Sequence, residues 1–231
     1  MATFVLVHGA FQGAWVWQKV SILLQEQGHI VHTPTLTNCG YLFTKNRVDI
    51  DLGSYIADIS RYLEFEDIND CVLAGHSYSG MICGAVMMQL PQRIRQMVFI
   101  DAMIPESGCS FADIAGEPFQ QMLQRNRMEH DQVKPWPVEV FGVGPDDAPW
   151  FTTRLRPFPL QAFHSPFPGD FDPTILPASL ITCTKTASPF IRAMAAKAAR
   201  YSWPVDVLDS GHCPMVTNPE DLAAILASRA Q

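Results

Sequence analysis

One segment constrains the fold of this sequence most. It is a short apolar run that ends in a glycine-flanked serine and leads directly into a helical stretch. The run is residues 71–74 (CVLA), the turn is residues 75–80 (GHSYSG), and residues 81–90 have helical composition. An uninterrupted apolar run bounded by turn residues is typical of a strand buried on both faces, as in parallel sheets covered by helices. The segment therefore predicts a strand, a sharp turn and a helix in a layered α/β protein.

The same alternation of apolar run and helical stretch recurs along the chain. Strands are predicted over residues 4–7, 71–74, 96–101, 179–183 and, as a shorter candidate, 205–208. Helices are predicted over residues 17–27, 54–65, 79–90, 189–201 and 220–229. Strands that alternate with helices favour a mostly parallel twisted sheet flanked by helices.

Between residues 104 and 177 the alternation breaks and proline becomes frequent, as in PWP at 135–137 and FPGDFDP at 167–173. An irregular insertion after a central strand usually lies over the carboxyl ends of the strands, where ligands bind. We predict one domain with a core of residues 1–103 and 178–231. Residues 104–177, hereafter the insertion, are predicted to form a lid and return segment outside the sheet, with a short helix around 118–130. The alternative is a surface excursion with no role in binding.

Several aromatic side chains of the insertion suggest an apolar pocket, although most of them are expected to form the core of the lid itself. They are Phe111, Phe119, Trp136, Phe141, Trp150, Phe151, Phe158, Phe163 and Phe167.

Composition argues against several classes of protein. With 231 residues, 48% of them hydrophobic, the chain can bury a sizeable core in one compact unit. A net charge of -7 and the lack of a Lys and Arg cluster argue against nucleic-acid binding. No apolar run approaches the length of a membrane span, and no signal-peptide pattern precedes residues 4–7. The six cysteines are scattered, without zinc-site spacing, so we expect reduced thiols, no metal and a cytoplasmic protein.

Ser77 is the candidate nucleophile. A serine between a buried strand and a helix, with small neighbours, is the context of a nucleophile elbow, whose strained turn exposes the hydroxyl. The glycine expected at the fifth position is replaced by Ser79 and arrives one residue later at Gly80. The alternative interpretation is an ordinary glycine-containing turn.

His212 is the candidate base, because it lies on a loop after the last predicted strand and can reach Ser77 across the sheet edge. Otherwise it is a solvent-facing loop residue. An imidazole takes and returns a proton near neutral pH. The developing oxyanion needs fixed donors, and the N–H groups of Tyr78 and Ala10 are the candidates. His8 is expected to shape the turn that carries Ala10.

Residues 8–10 (HGA), 13–17 (GAWVW), 75–80 and 210–215 (SGHCPM) together resemble the plant methylesterase and hydroxynitrile lyase family and its bacterial esterase relatives. The resemblance implies the α/β-hydrolase fold and cofactor-free chemistry on small esters, often aromatic, beneath a helical lid and frequently in a homodimer. Lyases of this family place Thr or Asn where this chain has Gly9, and one branch places Lys where it has Cys213. At these two positions the chain resembles the esterases.

The triad acid of that family is missing. It follows the strand at 179–183, where the candidate positions are Lys185 and Thr186. One possibility is that the acid is relocated to Asp101 or to the less favoured Asp209. The other is that it is absent. Ser77 and His212 would then act as a dyad, with the imidazole oriented by Thr186 or a backbone carbonyl.

These residues predict a carboxylic-ester hydrolase for a small apolar or aromatic ester. Two alternatives remain open at this point. One is a specialised lyase or cyclase that uses the same site, and the other is a weakly catalytic ligand-binding protein with the hydrolase fold.

Overall fold

The computed structural model describes residues 1–45 and 49–230. Its strands are β1 Thr3–Val7, β2 Ile30–His32, β3 Cys71–His76, β4 Ile94–Ile100, β5 Gln132–Val133, β6 Phe158–Pro159, β7 Ala178–Cys183 and β8 Val205–Leu208. Six of them form one sheet in the order β2-β1-β3-β4-β7-β8. Each neighbouring pair in this sheet is parallel, which confirms the predicted sheet class.

Helices follow the strands and flank the sheet. They are α1 Gln18–Glu26, α2 Leu52–Phe65, α3 Ser79–Gln89, α4 Phe111–Ala115, α5 Glu117–Arg125, α6 Ala148–Arg154, α7 Leu160–His164, α8 Pro189–Arg192, α9 Met194–Arg200, α10 Pro214–Thr217 and α11 Pro219–Ser228. Helix α1 packs against α11, and α2 packs against α3. None of the helices in the described ranges is long and apolar enough to cross a membrane.

The largest differences from the predicted elements have local causes. Strand β2 was missed because it has only three residues, lies at the sheet edge and leaves Ile30 exposed. Helix α2 begins two residues earlier than predicted, since Asp51 accepts a hydrogen bond from the Ser54 N–H in a capping box. The helix predicted over 189–201 is divided at Ala193 into α8 and α9.

The insertion contains α4 to α7 and joins the core at both ends through side chains. The Lys197 ammonium donates to the Ile104 and Pro105 carbonyls, and the Trp203 indole N–H donates to the Pro173 carbonyl. The predicted short helix is α5. The strands of the insertion, β5 and β6, lie outside the main sheet and form a separate antiparallel pair.

Candidate active site

Ser77 occupies the sharp turn between β3 and α3. Its backbone has φ = 55°. This value lies in the left-handed region, which is energetically unfavourable for any residue other than glycine. Surrounding hydrogen bonds hold this conformation: the Ser77 N–H donates to the Ile100 carbonyl at 3.2 Å, and the Ser77 carbonyl accepts from Met103 at 3.1 Å. The turn therefore presents the hydroxyl at the carboxyl edge of the sheet.

Small residues around Ser77 are required by close packing. A Cβ at Gly75 would lie 2.7 Å from the Ser79 carbonyl oxygen, and one at Gly80 would lie 2.0 Å from the Met103 carbonyl oxygen. Ser79 is accommodated because its buried hydroxyl donates to the His8 carbonyl. The departure from the usual elbow pattern thus ties the turn to the end of β1.

The His212 imidazole lies between Ser77 and Asp101. Its Nε2 is 2.9 Å from the Ser77 Oγ, and its Nδ1 is 2.6 Å from the Asp101 Oδ2. Because a carboxylate only accepts hydrogen bonds, Nδ1 carries the hydrogen and Nε2 is left to accept one from the Ser77 hydroxyl. The Asp101 and His212 residues are both buried.

Asp101 follows β4 and is held by groups from the β7 side of the sheet. Its Oδ1 accepts the Cys183 N–H at 3.0 Å, and its Oδ2 accepts the Thr186 hydroxyl at 2.5 Å as well as His212. Thr186, one of the two candidate positions for the family's acid, therefore contacts the carboxylate and not the imidazole. Of the two candidate carboxylates, Asp101 is the one that contacts the imidazole.

Asp209, the less favoured alternative, is bonded to residues other than His212. Its exposed carboxylate binds the Lys185 ammonium at 3.0 Å and the Thr184 hydroxyl at 2.9 Å. The hydrogen bond from Lys185 is the largest cause of the lowered pKa of this carboxyl group. No contact joins it to the imidazole.

Two backbone N–H groups near Ser77 have no acceptor within the described part of the chain. They belong to Tyr78, directly after the serine, and to Ala10, in the turn after β1. That turn contains Phe11 with φ = 70°, and the Phe11 carbonyl accepts from Arg156 of the insertion at 2.9 Å. Two fixed, unpaired donors beside a serine hydroxyl are suited to hold a negatively charged oxygen.

A small cavity adjoins Ser77 and His212. Of the aromatic residues singled out in the insertion, five line the cavity, namely Phe111, Phe119, Trp136, Phe141 and Phe163, and the others do not. The apolar wall is completed by residues that were not recognised from the sequence as lining the cavity, namely Phe11, Met122, Val140, Phe190 and Ile191. Ser188 also lines the cavity. None of the described lining residues is Asp, Glu, Lys or Arg.

Tyr78 joins the serine turn to the insertion. Its hydroxyl donates to the Ala162 carbonyl at 2.7 Å, and its ring packs edge-on against Phe158 and Phe163. The residue that offers one free N–H beside Ser77 therefore also anchors the wall of the cavity.

Two buried histidines flank the site without contacting the serine hydroxyl. His8 contacts the Gly9 carbonyl through Nδ1 at 2.8 Å and accepts the Leu36 N–H through Nε2 at 3.1 Å. His76 donates from Nε2 to the His212 carbonyl at 2.7 Å. Burial lowers the pKa of His8 to about 4 and the pKa of His76 well below its ordinary value.

Acidification is therefore expected to destabilise the protein well above the pH at which carboxylates titrate. The unfolded chain binds protons on these histidines below about pH 6.5, whereas folded His8 stays neutral down to about pH 4. The free energy of unfolding should fall as the pH drops across this window, by about 3 kcal/mol for His8 alone. Urea titrations at about pH 7 and about pH 4.5 measure the difference. His8→Asn should flatten the dependence and His164→Gln, at an exposed site, should not; equal stability at both pH values would contradict the prediction.

The described residues show free thiols and no metal cluster. All six cysteines are unpaired. In residues 1–45 and 49–230, no three His, Cys, Asp or Glu side chains are grouped so that they could hold a metal ion.

Comparison with known sequences gives matches over nearly the whole chain. Residues 4–225 match the family model described as the Alpha/beta hydrolase family. The chain is 29% identical over 240 residues to a carbendazim hydrolyzing esterase of Nocardioides sp. (strain SG-4G), which covers 99% of each chain. It is 36% identical over 105 residues to salicylic acid-binding protein 2 of Nicotiana tabacum, which covers 45% of this chain and 40% of that protein.

Solved structures share the fold over the full length. An extracellular alpha/beta-hydrolase from a Paenibacillus species superimposes with a TM-score of 0.87 at 21% identity and covers 100% of both chains. A methylesterase from Arabidopsis superimposes with a TM-score of 0.81 at 21% identity, covering 99% of this chain and 98% of that one.

Proposed function

Because this chain belongs to the alpha/beta hydrolase family, we propose that it is a carboxylic-ester hydrolase with Ser77 as nucleophile and His212 as general base. Asp101 is the acid that orients the imidazole, and the insertion is the lid over the substrate cavity. The observation that carries the proposal is the continuous chain of contacts from the Ser77 Oγ through both His212 nitrogens to the buried Asp101 carboxylate.

The acylation step uses these groups in turn. As the Ser77 Oγ attacks the acyl carbon, the His212 Nε2 takes the hydroxyl proton, and the N–H groups of Ala10 and Tyr78 stabilise the oxyanion. When the tetrahedral intermediate collapses, the bond to the alkoxy oxygen breaks. His212 returns its proton to that oxygen and the alcohol departs. The acyl group stays bound to Ser77 as the acyl-enzyme.

Deacylation repeats the sequence with water as the nucleophile. His212 takes a proton from the water, the hydroxide adds to the acyl carbon, and the proton returns to the Ser77 oxygen as the carboxylic acid departs. In both steps Asp101 stabilises the charged imidazole and keeps its Nδ1–H directed away from the serine.

Esterase chemistry is also supported at the two positions that distinguish lyases in the family. A Cβ at Gly9 would lie 2.8 Å from the His76 Nδ1, so the site has no room for a larger residue there without movement of the elbow. Cys213 is fully buried, and burial raises the pKa of its thiol. A neutral buried thiol supplies no positive charge to assist a leaving anion.

Substrates are expected to be uncharged. The cavity wall is aromatic and aliphatic, and transfer of an unpaired carboxylate into such a site is costly. The value of kcat/KM for 4-nitrophenyl butyrate should exceed that for the mono-4-nitrophenyl ester of succinic acid, which has a similar length, by at least about 100-fold. Values within about tenfold of each other would contradict an apolar binding site.

The proposed function is tested by hydrolysis of short-chain 4-nitrophenyl esters and methyl aryl esters together with covalent labelling. We expect turnover, and we expect a fluorophosphonate to block it while adding one label to the peptide that contains Ser77. A folded protein that neither turns over any of these esters nor accepts the label would contradict the proposal and favour a ligand-binding protein.

A further inference from the structure

The side chain of Gln12 is buried and has both ends of its amide engaged. Its Oε1 accepts the Gly9 N–H at 3.1 Å, and its Nε2 donates to the Cys213 Sγ at 3.2 Å. The Gln12 carbonyl accepts the Gly40 N–H at 3.1 Å, so its backbone is held as well. A single side chain thus connects two segments that are 201 residues apart in sequence.

Each of these two segments carries a group that meets at Ser77. Gly9 directly precedes Ala10, whose N–H is one of the two unpaired donors beside the serine. Cys213 directly follows His212, whose Nε2 contacts the Ser77 Oγ. The two hydrogen-bond partners of the Gln12 amide, Gly9 and Cys213, are therefore each one residue away in sequence from Ala10 and His212, respectively.

We propose that Gln12 is a positioning residue that fixes the distance between the Ala10 N–H and the His212 imidazole around Ser77. The inference rests on the proposed ester hydrolysis. Gln12 also lines the cavity beside Ser77. Because its Oε1 is bonded to the Gly9 N–H and its Nε2 to the Cys213 Sγ, the proposed role is exerted through these two neighbours.

The expected effect of Gln12 on turnover depends on the hydrogen bond that its Oε1 accepts from the Gly9 N–H. Without the Gln12 Oε1, this buried donor loses its acceptor, and the turn must move to find another. A shift of about 1 Å at a group that stabilises the transition state lowers turnover by about 100-fold, since such groups act only at short range. Substrate binding depends mainly on the apolar wall and is affected much less.

Three variants separate the contacts. Gln12→Met has a similar length and removes both hydrogen bonds. Gln12→Glu keeps an acceptor for the Gly9 N–H and removes the donor to Cys213, while Cys213→Ala removes only the sulfur acceptor. Gln25→Met, at an exposed position of α1, is the matched control.

We measure kcat and KM for a 4-nitrophenyl ester, with circular dichroism and thermal melting to verify folding. Gln12→Met is expected to lower kcat by about 10- to 100-fold with KM changed less than about threefold. Gln12→Glu and Cys213→Ala should give smaller losses, also in kcat, and Gln25→Met should match the wild type.

Two results would overturn the inference in a wild type that hydrolyses the ester. One is unchanged kcat in folded Gln12→Met, and the other is a loss confined to KM, which would make Gln12 only part of the cavity wall. If Gln12→Met does not fold, unchanged kcat in both Gln12→Glu and Cys213→Ala overturns it. A wild type without turnover or fluorophosphonate labelling would instead contradict the proposed function itself.

Discussion

Substitution of Ser77 with alanine is expected to lower kcat for ester hydrolysis by about 10⁵- to 10⁶-fold, with little change in KM. The alanine variant has no oxygen that could form the acyl-enzyme, so the only route left is direct attack by water in the cavity. The oxyanion donors and the apolar wall stay in place, and they should sustain a small residual rate above the uncatalysed reaction. The measurement is steady-state hydrolysis of a 4-nitrophenyl ester, with the unfolding midpoint as a test of structure.

The matched control is Ser228→Ala, because Ser228 is an exposed residue at the end of α11 whose hydroxyl donates to the Ile225 carbonyl. Its kcat should equal that of the wild type. Retention of more than about 1% of turnover by folded Ser77→Ala would show that hydrolysis proceeds without the serine, and the assignment of the nucleophile would fail.

The sheet and the meeting of Ser77 with His212 were the parts of the molecule most accessible from sequence. Buried parallel strands are continuous apolar runs, so five of the six strands of the main sheet could be located without knowledge of any contact. Parallel strands also end at one sheet edge, which brings loops from distant parts of the chain together. The serine turn and the histidine loop both follow such strands, and their side chains lie 2.9 Å apart.

The arrangement around Asp101 was not accessible in the same way. Its contacts with the Cys183 N–H and the Thr186 hydroxyl depend on the register of β4 against β7, and a sequence pattern does not specify that register. At the sequence level Thr186 was considered as a group that orients the imidazole, whereas in the structure it contacts the Asp101 carboxylate, and Asp101 contacts the imidazole. The link from Gln12 to Cys213 was missed for the same reason, because a hydrogen bond between distant loops leaves no periodic signal.

The cavity wall shows a further limit of prediction from sequence. The aromatic residues of the insertion were recognised as a group, but only five of the nine line the cavity. Phe151 and Phe158 are fully buried elsewhere in the packing, although their sequence neighbourhoods look alike. Burial of an aromatic ring is dictated by the hydrophobic effect wherever the ring lies, so sequence alone does not separate a lining residue from a core residue.

Substitution of Asp101 with asparagine is expected to lower kcat by about 10⁴-fold, the loss that the same exchange causes in a serine protease. The asparagine keeps the shape, and its amide oxygen can still accept from the Cys183 N–H. Its NH2 group then takes the place of Oδ2, where it cannot accept from the Thr186 hydroxyl. Its amide group, however, favours the imidazole tautomer with the hydrogen on Nε2, which then cannot take the Ser77 proton. Asp209→Asn is the matched control, because that carboxylate lies on the same loop as His212 and contacts only Lys185 and Thr184.

Thr186 makes this experiment specific to the relocated acid. A second carboxylate in Thr186→Asp would face Asp101 across a contact that is now 2.5 Å, so the two charges repel and activity should not rise. In an Asp101→Ala background the repulsion is absent. There, Thr186→Asp should raise kcat at least about tenfold above that of Asp101→Ala alone, because it supplies a carboxylate at a candidate position of the family acid. A loss of less than tenfold in Asp101→Asn would contradict a triad. In that case Ser77 and His212 would act as a dyad, and the hydrogen bonds around Asp101 would serve only to stabilise the turn after β4.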